Sequence, residues 1–556
     1  MKSRSWIHIR PVYPRLGKLI RRLAGPAFSG LSIAVLVLPS AAAERIVFSY
    51  GYLERFISVD ALDTFAQEGR IDDQLALYIG EASPEELEAM RAVLLSQAEL
   101  SPVTLSQFLY SSLGEVLLQY AGELIQTDSR LNGFSALRAA VVLAAGDSDG
   151  LTILNVLRHF PTRTVRINGV RALQVVSAFT QLLQQTDQMV ALIEQQAGRE
   201  VAAATPVDFA QLPDLQQPGS LSWQTETLQL YDDRRDRAFE ADLYSPHLQV
   251  DAPVPVIVIS HGLGSDRMSF SDLAQHLASH GFAVAVLEHP GSNNEQMQSL
   301  LKGTVSEMVE PSEFIDRPQD ISFLLDELHR RNQIRSSQPD QFDLQQVGVV
   351  GHSLGGYAAL ALVGAELDFE RLEFACTFEG GLNLVNFSLP LQCIALEGEH
   401  DAYPPLRDER VKAVFAMNPT ISGVFSPSGL GQVQVPIMLV AGSHDPVAPA
   451  LLEQIRPFSW LTGLDNYLVL IQGGTHIYSV ADTSIDGALS LPAELAGPDP
   501  ALARQYLKAS SLAFMKTYVA DQDDYQVYLS SAYTQAISQP PLKLELVSTL
   551  TLADNY

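Results

Sequence analysis

The sequence predicts an α/β architecture: a mostly parallel sheet covered on both faces by helices, preceded by an all-α N-terminal region. Three observations carry this. Beyond residue 222, short and fully apolar runs alternate with amphipathic segments, the pattern of a parallel sheet buried on both sides. Between residues 58 and 197, apolar residues recur at three and four positions, the helical period. Residues 201–222 hold Pro206, Pro213, Pro218 and Gly219-Ser220, a loop-forming composition that marks a boundary between the two. The 556 residues suffice for roughly two to four domains and a sizeable core. Hydrophobic residues at 47% exclude a disordered or collagen-like chain, and a net charge of −28 argues against nucleic acid as a partner. Two cysteines exclude a disulfide-rich scaffold and a four-cysteine zinc site.

Residues 1–43 carry seven cations and no acid, then an apolar stretch from Phe28 to Leu38 and the small residues Ala41-Ala42-Ala43. This order reads as a secretory signal peptide, with an uncleaved signal anchor as the alternative. The apolar stretch is shorter than the ~20 residues a spanning helix needs. The expectation is an exported protein, periplasmic or secreted, with no stable transmembrane span after processing. In an oxidising space Cys376 and Cys393 have two fates, a disulfide or two separate buried thiols.

The N-terminal domain is expected over residues 44–200. Ser83-Pro84-Glu85-Glu86 places a cap, a first-turn proline and an acid at the third position, and Ser101-Pro102 repeats the start signal. Phe108, Leu109, Leu113, Val116, Leu117 and Tyr120 form one helical stripe, and Leu173, Val176, Phe179, Leu182 and Leu183 another. No chemistry stands out here. The linker, residues 201–222, leads to a catalytic domain over 223–556. Its expected strands are Val254 to Ser260, Ala283 to Leu287, Val347 to Gly351, Val411 to Met417, Val435 to Ala441 and Tyr467 to Ile471, with an edge strand within Leu542 to Leu550. Helices are expected at Phe270 to His280, Ile315 to Arg331, Leu354 to Gly364, Pro449 to Trp460 and across 503–537.

The chemistry is expected where Val347-Gly348-Val349-Val350 runs into Gly351-His352-Ser353-Leu354-Gly355 and a helix. A strand, G-x-S-x-G and a helix make a nucleophile elbow, in which small flanking residues permit a tight turn with the serine at its tip. A serine hydroxyl is a weak nucleophile and needs a base, which in this arrangement follows an acid in chain order. Asp445 and Asp401 both follow apolar runs. Asp445 is preferred because the strand Val411 to Met417 intervenes between it and Ser353. His476, after Tyr467 to Ile471 and two glycines, is the base. Val254 to Ser260 leads into His261-Gly262-Leu263-Gly264, where the Leu263 amide and that of Leu354 are expected to form an oxyanion hole. His261 reads as a loop-fixing residue rather than a second base. No metal or cofactor is implied.

Ser260-His261-Gly262-Leu263-Gly264-Ser265-Asp266-Arg267, Leu277 to Val284, Glu288-His289 and Arg317-Pro318-Gln319-Asp320 resemble the platelet-activating-factor acetylhydrolase and dienelactone-hydrolase branch of the α/β-hydrolase superfamily. Gly133 to Ala140 and Phe160-Pro161-Thr162 are similar to an uncharacterised domain that precedes such hydrolases in exported bacterial proteins. The resemblance implies the α/β-hydrolase fold and a serine esterase for short-acyl or lipid-like esters. The connections from Pro290 to Arg317 and from Leu367 to Arg410 are long enough to cover the site, and the second is expected as a lid-like insertion or a packed one. The alternative to an esterase is a silent scaffold of the same fold used for binding; amide hydrolysis would use the same three residues.

Overall fold

The apolar runs of the second half assemble into one nine-stranded sheet. The described residues of the computed structural model are 42–248, 252–334, 341–377, 381–398, 404–477 and 497–551. The leader up to residue 41 and the competing acid Asp401 lie outside them. Four short strands come first: β1 (Arg45–Tyr50), β2 (Leu53–Ser58), β3 (Ile125–Gln126) and β4 (Thr164–Asn168). The large sheet follows with β5 (Trp223–Asp232), β6 (Arg237–Pro246), β7 (Val254–Ser260), β8 (Ala283–Leu287), β9 (Phe342–His352), β10 (Val411–Met417), β11 (Ile437–Gly442), β12 (Asn466–Gln472) and β13 (Lys543–Val547). Its order is β13-β12-β11-β10-β9-β7-β8-β6-β5. The six strands β7 to β12 pair in parallel, while β13, β6 and β5 are added by antiparallel pairing. This is the α/β-hydrolase fold. The central strands carry almost wholly buried Val, Ile and Ala, because helices cover both faces.

The N-terminal region is mostly helical, but it is not all-α. β1 pairs antiparallel with β2 and in parallel with β4, giving a small sheet in the order β2-β1-β4-β3. Helical periodicity gave no hint of it. The strands have six residues or fewer, and Arg45 of β1 pairs with Thr164 far along the chain. The helix Pro84–Leu95 starts on the expected capping box, with the Ser83 amide donating to Glu86 at 2.7 Å.

The helix Gly169–Ala203 buries only Leu182 of the expected stripe. Leu173, Val176, Phe179 and Leu183 are exposed, and the buried row is Ala178, Leu182, Met189, Ile193 and Ala197. The small alanines in that row let the helix lie close against its neighbours. That row belongs to the same core as Val256, Val349, Leu354 and Leu439 of the large sheet and its covering helices. The irregular stretch after residue 203 therefore does not end the core, and the described residues from 42 on form one compact unit.

Two local features set the geometry around the serine. The helix Glu313–Ile334 contains Pro318, which has no N–H to offer the Phe314 carbonyl one turn back. The hydroxyl of buried Tyr357, on the helix that follows the serine, donates to that carbonyl at 2.7 Å. The described helices of the insertion after Leu367 pack against the core. Its helices Phe369–Ala375 and Leu389–Cys393 bury Leu372, Leu389 and Leu391 in the main core, and Cys376 and Cys393 are joined by a disulfide. Gln392 accepts from the amides of Gly423 and Val424. Fully buried Glu453 accepts from the side chains of Asn386, Ser388 and Gln392 and from the amides of Ile421 and Ser422.

Candidate active site

The parallel strands deliver the site residues to one edge of the sheet. His261 follows β7, Ser353 follows β9, Asp445 follows β11 and His476 follows β12, all at carboxyl ends, where open α/β sheets gather their ligands. Ser353 has φ 53° and ψ −115°, a strained conformation for a residue with a side chain. Its neighbours must be glycine: a methyl on Gly351 would strike the Gly355 carbonyl, and one on Gly355 would strike the Ser260 carbonyl. The turn thus holds the hydroxyl out from a backbone with no room to relax.

The structure brings Ser353, His476 and Asp445 together. Ser353 Oγ lies 3.0 Å from His476 Nε2, and His476 Nδ1 lies 2.7 Å from Asp445 Oδ2. All three are buried. Asp445 is saturated with donors: Oδ2 also accepts from Asn418 Nδ2 at 2.7 Å, and Oδ1 accepts from the Val447 and Ala448 amides at 2.8 Å each. A carboxylate so held cannot rotate away from the imidazole.

The expected oxyanion donors lie beside the serine. A methyl on Gly262 would stand 3.2 Å from Ser353 Cβ, so the loop that carries Leu263 rests against Ser353. Leu354 begins the helix that follows it. Among the described residues, neither the Leu263 nor the Leu354 amide has a backbone or side-chain acceptor. Buried His261 spends both ring nitrogens on backbone: Nδ1 donates to Gly262 O at 2.7 Å, and Nε2 accepts from His289 N at 3.1 Å. Burial, helped by nearby Arg317, holds its pKa well below the usual imidazole value.

His352 lies between Gly262 and His476. Its Nε2 donates to the backbone carbonyl of His476 at 2.9 Å, and the two rings lie 5.0 Å apart. Burial, with the neighbouring His476, pushes its pKa down to about 3. A neutral His352 therefore ties the loop of His476 to the turn at Ser353.

Sequence reading passed over Asn418, and it took Arg317, His289 and Asp320 only as parts of family-like phrases, with no role at the site. Asn418 follows β10 with φ 42°, in the left-handed region that asparagine tolerates better than most residues, and the phrase Met417-Asn418-Pro419 was its available signal. The contacts of the others join residues far apart in the chain, so their phrases mark the family without showing what they hold.

Comparison with known proteins bears on the fold and the family. Residues 42–168 match a family described as an alpha/beta hydrolase of unknown function (DUF1400). Residues 233–338 match the family of platelet-activating factor acetylhydrolase, isoform II, and that match ends before Ser353. These matches support an α/β-hydrolase of the platelet-activating-factor acetylhydrolase-like branch. The chain is 29% identical over 180 residues to a platelet-activating factor acetylhydrolase of Canis lupus familiaris, covering 26% of this chain and 37% of the relative. It is 27% identical over 138 residues to a probable 1-alkyl-2-acetylglycerophosphocholine esterase of Arthroderma benhamiae, covering 23% and 32%. The chain thus spans about a third of the length of these relatives. Among the described residues, no helix is long and apolar enough to cross a membrane.

Proposed function

We propose that this chain is an exported serine hydrolase that cleaves short-acyl or lipid-like carboxylic esters through an acyl-enzyme. The observation that carries the reading is the hydrogen-bonded line from Ser353 through His476 to Asp445 on a strained turn. Ser353 Oγ attacks the ester carbonyl carbon while His476 Nε2 takes its proton. Asp445 keeps the other ring proton on Nδ1 and offsets the charge of the imidazolium. The carbonyl oxygen becomes negative and is met by the Leu263 and Leu354 amides; a single lost donor of this kind costs ~10²–10³ in rate. His476 returns the proton to the leaving alcohol, the acyl group stays on Ser353, and water then releases it by the same steps in reverse.

The likeness to an acetylhydrolase and to a probable acetylglycerophosphocholine esterase supports a short acyl group on a lipid-like alcohol. Export is supported by the basic and apolar leader and by the disulfide, a bond that persists in oxidising compartments.

The N-terminal residues 42–203 we read as a buttress for the loops around the site. The Ser112 amide donates to Glu307 at 2.8 Å and its hydroxyl to Glu397 at 2.9 Å, so one residue clamps both long connections. The Gly264 amide in turn donates to Ser292 O at 2.9 Å, linking the oxyanion loop to the first of these connections.

The test is a panel of nitrophenyl esters graded by chain length, with phospholipids bearing short and long acyl groups, on wild type and Ser353→Ala. Turnover by wild type that drops to background in Ser353→Ala supports the reading. Equal rates for the two proteins would overturn it.

A further inference from the structure

Oxyanion donors help only if they stay in place while charge develops, so the loop after β7 needs an anchor. The strongest one is Arg317. This side chain is fully buried on the helix Glu313–Ile334, with no solvent to share its charge. Its Nη1 donates to the carbonyl of His261 at 2.5 Å, and its Nε donates to Ser292 Oγ at 2.9 Å. Ser292 Oγ in turn donates to Glu313, whose other oxygen accepts from Arg237 at 2.8 Å.

A second arm closes the circuit. Buried Asp320 pairs with Arg235 at 2.8 Å and Arg237 at 2.9 Å, and accepts from His289 Nδ1 at 3.0 Å. His289 Nε2 accepts from Ser260 Oγ at 2.9 Å, and the His289 amide donates to His261 Nε2. Both arms end on Ser260 and His261, the two residues before the Gly262-Leu263 turn.

A buried ion network seldom stabilises more than well-packed apolar side chains would, so its place in the fold matters more than its net energy. Here a planar guanidinium grips one loop carbonyl and one side-chain hydroxyl at once, which a lysine ammonium on a flexible stem reproduces poorly. A peptide plane is rigid, so a fixed His261 carbonyl fixes the Gly262 amide and the path of the chain into Leu263.

We propose that Arg317 is a positioning residue for the oxyanion loop: its grip on the His261 carbonyl and Ser292 hydroxyl aims the Leu263 amide at the carbonyl oxygen attacked by Ser353. The inference rests on the serine-hydrolase reading above. Burial lowers the Arg317 pKa to about 10, so the group keeps its charge at neutral pH.

The test compares wild type, Arg317→Lys and Ser292→Ala. It measures kcat and KM on a short nitrophenyl ester, inhibition by a trifluoromethyl ketone, which becomes a tetrahedral oxyanion on the serine, and melting temperature. Arg317→Lys is expected to lower kcat about 10- to 100-fold with KM within about threefold, on the scale of a displaced oxyanion donor. Ketone affinity should fall by the same factor as kcat, while a non-reactive ground-state amide binds as before. Ser292→Ala should move kcat and ketone affinity in the same direction, by about three- to tenfold, through the weaker hold on Arg317. It decides the matter if Arg317→Lys fails to fold. Unchanged ketone affinity in a folded variant, or a loss of activity no larger than the loss of folded protein, would overturn the inference alone. A wild type that turns over no ester would overturn the serine-hydrolase reading and this inference with it.

Discussion

Replacing Asp445 by asparagine keeps the shape of the side chain and removes two of its acceptor sites. The carboxylate accepts four hydrogen bonds, two on each oxygen. In Asp445→Asn the amide oxygen keeps the Val447 and Ala448 amides, since both are fixed backbone donors. The new NH2 then faces His476 Nδ1 and Asn418 Nδ2, each 2.7 Å from the oxygen it replaces. Asn418 can relieve its half by turning its amide over. His476 can relieve the other half only by moving its proton from Nδ1 to Nε2. That places an N–H against Ser353 Oγ, and the ring can no longer take the serine proton. A wrong tautomer of this kind costs ~10⁴ in kcat, or ~5.4 kcal/mol of transition-state stabilisation. The assay is steady-state hydrolysis of a short nitrophenyl ester, with melting temperature as the control for folding and Asp401→Asn as the matched control for the competing carboxylate. We expect the ~10⁴-fold loss in kcat with a small change in KM, and Asp401→Asn within about twofold of wild type. A folded Asp445→Asn protein within about tenfold of wild type would refute the assignment of Asp445 as the residue that orients His476.

Three further outcomes follow from the same geometry. His352→Ala removes the tie between the elbow and the His476 carbonyl, so kcat should fall by about tenfold with little change in KM, the scale of one buried hydrogen bond; equal kcat would deny the tie any part in placing the base. Stability should fall as pH drops below about 6.5, because His352 and His276 stay neutral in the folded chain down to about 3 while the unfolded chain takes up their protons near 6.5. The unfolded state then binds more protons, giving a loss of up to ~1.4 kcal/mol per pH unit for each histidine; burial is the leading cause for both, His476 and His280 adding to it and Asp445 and Asp272 opposing it, and a urea midpoint flat from pH 7 to 4 would contradict this. Replacing Cys376 and Cys393 together by serine should cost no more than about 3 kcal/mol by urea unfolding, since Gln392 and Glu453 still anchor the insertion; unfolding of the whole chain would show that the anchors do not suffice.

The N-terminal region shows how a stripe can be present and misread. Leu173, Val176, Phe179 and Leu183 keep helical spacing, and the chain forms the helix, yet the adjacent row meets the core. Periodicity reports that a helix has an apolar side; which of two neighbouring rows is covered depends on what arrives from elsewhere in the chain. The strands β5 and β6 were missed for a related reason. Most side chains of β5 are exposed at the sheet edge, so it carries no long apolar run, and its ladder with β6 is a matter of pairing rather than composition.

The order of elements from β7 to β12, the elbow at Ser353, and the placing of Asp445 and His476 after strands were legible in the sequence by itself, because each depends on local rules: an apolar run for a buried strand, glycines where no side chain fits, an acid or base just past a strand end. Tertiary structure alone decided the meeting of those three side chains, the seat of Asn418 on Asp445, and the circuit from Arg317 to the oxyanion loop. These contacts join residues tens to more than a hundred positions apart, and a buried charge is tolerable only where such partners converge. No local pattern records that convergence, because it is a property of packing.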